Sequence, residues 1–247
     1  MLQKYWGEYY KCERCGFLQI FDHPWLNESY SSAITSLDIG LLRRNIEYGP
    51  RVKVLIDHLI TREYNKYLDY GGGYGLFVRL MRDRGFDFYR YDMYCENIFA
   101  NSFDYNVKDS HDGRFDLLTA FEVFEHISNP IEELKLMLDL SENIFFSTEL
   151  QPKGENIENW SYLLPEIGQH ISFYSCSSLQ YLAKKFGFNF YTDGKYFHLF
   201  TKRKISSLKF NLLTRRKISS LFWFLSINSK SLLETDYKKL IRHNQLR

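Results

Sequence analysis

From Val52 onward the apolar positions follow two alternating periods. Helical spacing runs through VKVLIDHLI (residues 52–60), GLFVRLMRDRG (75–85), PIEELKLMLDL (130–140) and SSLQYLAKKFG (177–187). Between them stand runs of strand length, YNKYLDY (64–70), FDFYRYDMY (86–94), FDLLTAFEV (115–123) and NIFFSTEL (143–150). Gly85 and Gly187 close two of the helical segments and Pro130 opens a third, because glycine tolerates the left-handed backbone of a helix end and proline presets the first turn. Strands alternating with helices predict an α/β sheet, mainly parallel, with crossover helices. The last two strand-like runs, FNFYT (188–192) and KYFHLFT (195–201), flank Asp193 and Gly194. That dipeptide is a tight-hairpin signal, so the sheet is expected to finish with an antiparallel pair.

Ahead of this pattern, residues 1–45 are rich in Tyr and Trp, carry a CxxC and Pro24, and become helical only along SSAITSLDIGLLRRNI (31–46). The organisation expected is an N-terminal appendage (1–45), an α/β domain (46–203) and a basic helical tail (204–247), with no internal repeat. At 247 residues, 45% of them hydrophobic and including 21 Phe and 19 Tyr, the chain can bury one large core. A net charge of +2 gives no overall electrostatic reason to expect nucleic acid. The longest apolar stretch, Leu221 to Ile227, is shorter than the roughly 20 residues that span a bilayer, so a soluble cytoplasmic protein is expected. Four cysteines do not make a disulfide framework. They are expected as reduced thiols, with Cys95 and Cys176 as small core or pocket residues.

The stretch LDYGGGYG (68–75) places four glycines within five positions, after a strand and before a helix. A loop there that turns sharply and lets a ligand approach its backbone needs residues without Cβ. The dinucleotide fingerprint GxGxxG/A would require Gly or Ala where Leu76 stands, which counts against a nicotinamide cofactor. An acidic residue suited to ribose hydroxyls is expected about 20 residues on. Asp92 lies 21 positions after Gly71.

These residues resemble the class I S-adenosylmethionine-dependent methyltransferases, whose first motif is (D/E)xGxGxG. FDLLTAFEVFEHISNP (115–130) looks like the segment around the fourth strand of that family's small-molecule branch, which reads FD, an apolar run, ExxEH and a proline. The segments CERCGF, WLNESYSSAI, DIGLLRRN, YGLFVRLMRDRGF and GQHISFYS resemble a bacterial group associated with capsule and other surface-polysaccharide biosynthesis. The resemblance implies a Rossmann-like, doubly wound, seven-stranded sheet with an antiparallel last strand, and S-adenosyl-L-methionine as cofactor. It implies that Gly71, Gly73 and Gly75 line the cofactor's methionine and ribose, with Asp69 supporting the loop and Phe121 at the end of the fourth strand. It also implies that Asp92 takes the ribose hydroxyls and that Met93 packs on the adenine. Asp104 and Asn106 are candidates for the adenine amino group, within a region from Glu96 to Asp112 that lacks a clean helix and strand.

Methyl transfer to a hydroxyl requires in-line positioning, exclusion of water and removal of a proton. Glu122, Glu125 and His126 follow the fourth strand, at the edge where ligands collect. Glu122 is expected nearest the transferred methyl, Glu125 as structural, and His126 either as a base or as a support for the next helix. A second cluster, NWSYLLPEIGQHISFYS (159–175), suits a cover over the acceptor. Trp160, Tyr162, Gln169, His170 and Tyr174 are its candidate acceptor contacts, with His170 a second candidate base. Trp160 and Tyr174 could equally be satellite core.

The expected activity is O-methylation of a sugar, sugar nucleotide or phosphate-type group. An RNA methyltransferase or a non-catalytic cofactor binder are the alternatives. Cys12 and Cys15 look like half of a zinc knuckle. A structural zinc site needs four ligands and only His23 lies nearby, so a metal-free remnant is expected. The tail carries seven basic residues and no acid from Lys202 to Lys217, and taking those seven from the net +2 leaves −5. It is expected to pack on the core, with membrane-surface contact or a homodimer as other uses.

Overall fold

Leu117 and Leu118, Phe145 and Phe146, and Leu199 and Phe200 are adjacent pairs whose members fall into two different cores, which defines a sheet covered on both faces. A computed structural model describes residues 1–30, 37–106, 114–154, 157–225 and 230–245. The strands are β1 (Tyr9–Lys11), β2 (Leu18–Ile20), β3 (Lys66–Tyr70), β4 (Asp87–Tyr91), β5 (Leu117–Phe121), β6 (Asn143–Ser147), β7 (Ser172–Phe173), β8 (Asn189–Thr192) and β9 (Phe197–Thr201). The helices are α1 (Leu26–Ser29), α2 (Leu41–His58), α3 (Leu76–Arg82), α4 (Pro130–Leu140), α5 (Cys176–Lys185), α6 (Ser207–Thr214), α7 (Arg216–Leu225) and α8 (Leu233–Gln245).

The main sheet runs β4-β3-β5-β6-β9-β8. Its first four strands are parallel, and β9 lies antiparallel between β6 and β8. Among the described residues this sheet has six strands. Beside β4 a single parallel bridge joins Arg90 to Asp104. One core contains Val52, Leu55, Phe77, Phe88, Leu117 and Phe145, and the other Leu118, Phe124, Leu134, Ile144, Phe146 and Leu179. Each such fully buried side chain stabilises the fold by about 1.5–3 kcal/mol. Asn129 caps α4, its side chain accepting the Glu132 N–H ahead of a first turn that begins with Pro130.

Helix α2 starts at Leu41 and runs through Pro50, where the expected helix starts at Val52. Proline removes one helical hydrogen bond, and burial of Tyr48, Val52, Val54, Leu55 and Ile56 outweighs that loss. The boundary expected after residue 45 falls inside this helix. Residues 31–36 of the expected leading helix lie outside the described residues.

The N-terminal segment pairs as β1-β2-β7, a second antiparallel sheet. Cys12 and Cys15 lie in the turn between β1 and β2. Trp25 is fully buried and its indole N–H donates to Gly168 O at 2.9 Å. At the other end of the chain, α7 packs on α2 through Ile218, Phe222 and Trp223. Arg82 holds α8 through a buried two-point pair with Asp236, at 2.8 and 2.7 Å. No helix among the described residues is long and apolar enough to cross a membrane.

Candidate active site

At the carboxyl ends of β3, β4 and β5 lies a cavity of about 750 Å³, on the edge where ligands bind in open α/β sheets and within the range of small-molecule sites. Its floor is the glycine loop. Gly71, Gly73 and Gly75 have φ of 68°, 52° and 82°, left-handed values that side chains resist. The N–H groups of Gly71 and Gly72 both donate to Tyr91 O, at 2.8 and 3.2 Å, which ties the loop to the end of β4. A Cβ added at Gly71 would meet Val123 Cγ2 at 2.6 Å. Gly75 caps α3, and a Cβ there would meet Asn97 Oδ1 at 2.5 Å, on the side of the loop turned away from the cavity.

Asp69 lies beneath the loop, and the Thr119 hydroxyl donates to it at 2.6 Å. Burial pushes its carboxyl up to about 7, against the effect of that hydrogen bond. Asp92 accepts the Gly73 N–H at 2.9 Å on Oδ2, and the N–H groups of Tyr94 and Cys95 on Oδ1, each at 2.8 Å. Asp92, Met93 and Phe121 all line the cavity, and Met93 is 70% exposed. Asp104 does not line it. Its carboxylate accepts from Arg90 Nη1 at 2.6 Å and from Asn97 Nδ2 at 2.9 Å, so it braces the loop after β4. Asn106 also lies outside the cavity wall.

Glu122, His126 and His170 also line the cavity. Glu122 follows β5 with φ 54°, a conformation that costs a non-glycine residue about 1–3 kcal/mol. Hydrogen bonds hold it there: its N–H donates to Ser147 Oγ at 3.0 Å, and the Ser147 and Tyr196 hydroxyls both donate to Oε1. Tyr48 in turn donates to the Tyr196 oxygen at 3.1 Å. Burial raises the Glu122 carboxyl above its ordinary range, against these hydrogen bonds and the nearby Arg44.

His126 and His170 both line the cavity, their ring centroids 4.9 Å apart and their planes nearly perpendicular. Each fixes Nδ1 on a backbone carbonyl, His126 on Gln169 O at 3.1 Å and His170 on Tyr162 O at 2.7 Å. A carbonyl only accepts, so Nδ1 carries the proton and Nε2 the lone pair. Burial lowers both imidazoles, His126 to about 3 with help from His170, and His170 to about 4. Both are neutral at physiological pH. Glu125, fully buried behind them, accepts the Tyr162 hydroxyl at 2.6 Å, and burial followed by the charge of Glu122 pushes it up to about 8.

Two expected acceptor contacts lie elsewhere. Tyr174 is fully buried in the core and donates to Phe124 O at 3.1 Å. Trp160 packs on Phe173 and Tyr162, away from the cavity wall. Both follow the satellite-core option. Gln169 lines the cavity, yet its side-chain amide donates to Ser29 O at 2.7 Å, which anchors the N-terminal segment. Sequence reasoning missed Tyr30, which stacks on Tyr94 at 5.1 Å, together with Tyr48, Ser147 and Tyr196. Tyr196 immediately precedes β9, whose Phe197 pairs with Ser147 at the end of β6.

A methyltransferase-domain family matches residues 42–192. No curated protein matches the chain. Among solved structures, a chain of the complex between the Haloferax volcanii Trm112 methyltransferase activator and a methyltransferase superposes with a TM-score of 0.50 at 13% identity. The match covers 72% of this chain and 98% of that one. An O-methyltransferase family 2 protein from Planctomyces limnophilus, in complex with apigenin, gives a TM-score of 0.49 at 11% identity, over 71% of this chain and 65% of that one. The plantazolicin methyltransferase BpumL, in complex with a monoazolic desmethylPZN analog and SAH, gives 0.47 at 13% identity, over 72% and 93%. The likeness to the Haloferax chain is one of fold.

Proposed function

The chain belongs to the methyltransferase-domain family, and on that premise we propose that it methylates an oxygen of a small polar acceptor: a sugar, a sugar nucleotide or a phosphate-type group of capsule or lipopolysaccharide synthesis. Its cofactor is S-adenosylmethionine. The residues present fit that group. The bare, left-handed backbone at Gly71 and Gly73 lines the cavity with no side chain over it, and Asp92 stands at the same wall. When bound, the cofactor supplies a methyl group already made electrophilic by its sulfonium.

What this chain must add is position, dryness and an outlet for the acceptor's proton. Asp69 and Thr119 keep the floor of the loop rigid. Tyr30, Tyr162 and Tyr196 offer aromatic faces with hydroxyls, a combination suited to a ring bearing several polar groups. Glu122, locked by Ser147 and Tyr196 at the cavity wall, is an acceptor for a substrate hydroxyl.

The observation that carries the reading is the histidine pair: two neutral imidazoles at one cavity wall, each with Nδ1 pinned and a lone pair on Nε2. Such an edge accepts hydrogen bonds from an acceptor's hydroxyl groups and orients them. The test is a panel of sugar nucleotides, phosphorylated sugars and RNA incubated with labelled cofactor and read by the mass gain of one methyl. Methylation of a sugar or phosphate oxygen is expected. Transfer to RNA with none to the others would overturn the reading.

A further inference from the structure

We propose that Glu125, His126 and His170 bind one divalent first-row transition cation at the acceptor wall of the cavity. One donor atom from each residue lies within 4.8 Å of the other two. Ligands at about 2.1 Å from a tetrahedral cation are about 3.4 Å apart, so the three donors close by up to about 1.4 Å to complete the site.

Two further features of these residues suit a cation. Both imidazoles give Nδ1–H to a backbone carbonyl, Gln169 O and Tyr162 O. Outer partners of that kind orient metal-bound histidines, and they leave Nε2 as the ligating atom. Glu125 is fully buried, and while Oε1 accepts from Tyr162, Oε2 has no hydrogen-bond partner. A buried polar atom left alone is costly, and a cation beside it removes the deficit. Tyr162 serves both elements, with its hydroxyl on Glu125 and its carbonyl on His170.

Two imidazoles and one carboxylate suit zinc, iron(II), manganese or cobalt better than calcium or magnesium, which favour all-oxygen shells. Three protein ligands leave positions open. His126 and His170 line the cavity and Glu125 does not, so the open positions face the acceptor. A hydroxyl seated there would release its proton to water more readily, because a cation lowers the pKa of an oxygen bound to it. The imidazoles would then hold the cation and would not take the proton themselves. This last step rests on the oxygen-acceptor reading, whereas cation binding does not.

The test uses the full chain with Cys12→Ser and Cys15→Ser, so that those thiols cannot hold zinc. Protein stripped with a chelator is loaded with zinc, manganese or cobalt(II), desalted, and measured by mass-spectrometric metal analysis and by the visible absorption of cobalt. About one equivalent is expected, with the visible bands of cobalt bound to imidazole. Glu125→Gln, which still accepts the Tyr162 hydroxyl, and His170→Asn should each weaken binding by at least the about 10-fold lost with an outer-shell partner. A thermal melt of each stripped variant checks that it is folded. No retained metal in the parent, or unchanged binding in both folded variants, overturns the proposal. Because no acceptor is present, the two readings separate: a bound cation without sugar or phosphate methylation sinks only the acceptor assignment. Full turnover in metal-free protein sinks only the cation.

Discussion

Gly73 donates its backbone N–H to Asp92 Oδ2 at 2.9 Å, so the carboxylate at the cavity wall and the glycine loop form one unit. Replacing Asp92 with Ala should weaken S-adenosylmethionine binding by roughly 1–3 kcal/mol, through the lost hydrogen bonds and a loosened loop. Asp92→Asn keeps an acceptor for Gly73 and should lose less. Titration calorimetry reads both, and an affinity unchanged in the Ala variant would remove Asp92 from the cofactor site.

Gly71→Ala brings a Cβ to 2.6 Å from Val123 Cγ2 at a φ of 68°. It should reduce stability by about 1–3 kcal/mol and lower cofactor affinity. Adding Val123→Ala clears the collision but leaves the backbone strain, so only part of the loss should return. Denaturant unfolding of both proteins measures the split, and full recovery would mean that the strain contributes nothing.

Asp236→Ala leaves the Arg82 guanidinium buried without its two-point partner. Breaking a buried pair from one side typically costs about 3–5 kcal/mol. The loss should show as a lowered unfolding midpoint and as faster amide exchange in α8. A double replacement, Arg82→Met with Asp236→Leu, should be far milder, and equal damage from both would contradict the charge-burial account.

His198 is fully buried, with Nδ1 on Thr192 Oγ1 at 2.9 Å and Nε2 on Thr148 O at 3.0 Å. Burial lowers its imidazole from 6.5 to about 4. The native state therefore binds fewer protons than the unfolded chain between those values, and its stability falls as pH falls through that window. The effect is up to about 3 kcal/mol. Thermal midpoints taken from pH 7 to 4 should drop less steeply for His198→Gln than for the natural chain. Parallel curves would show that His198 does not titrate this way. The other buried histidines act in both proteins, so the difference isolates His198.

The order of strands and helices was legible because each element's apolar period is long enough to specify its type: the runs at 66–70, 117–121 and 143–147 have few polar interruptions and became buried strands. The glycine loop and Asp92 were legible because their demands are local, a backbone without Cβ and a carboxylate one strand away. Tyr30, Tyr48 and Tyr196 were not, since they reach the cavity from elements distant in sequence and any of 19 tyrosines could have done so. Tyr174 and His170 show the same limit in one loop. They lie four residues apart, and β7 between them turns one into the core and leaves the other at the cavity wall. Among the described residues, the segment after β4 contributes the Arg90–Asp104 bridge, and its sequence had no strand period to read.

The N-terminal segment does more than precede the matched domain. Its β2 pairs with β7, Trp25 bonds Gly168, Ser29 receives the Gln169 amide, and Tyr30 reaches the cavity beside His126. Leu26 and Tyr30 line the cavity from outside the matched family region, which begins at residue 42, while the glycine loop, Asp92, Glu122, His126 and His170 lie inside it. A change at Leu26 or Tyr30 therefore reshapes the cavity without touching the glycine loop.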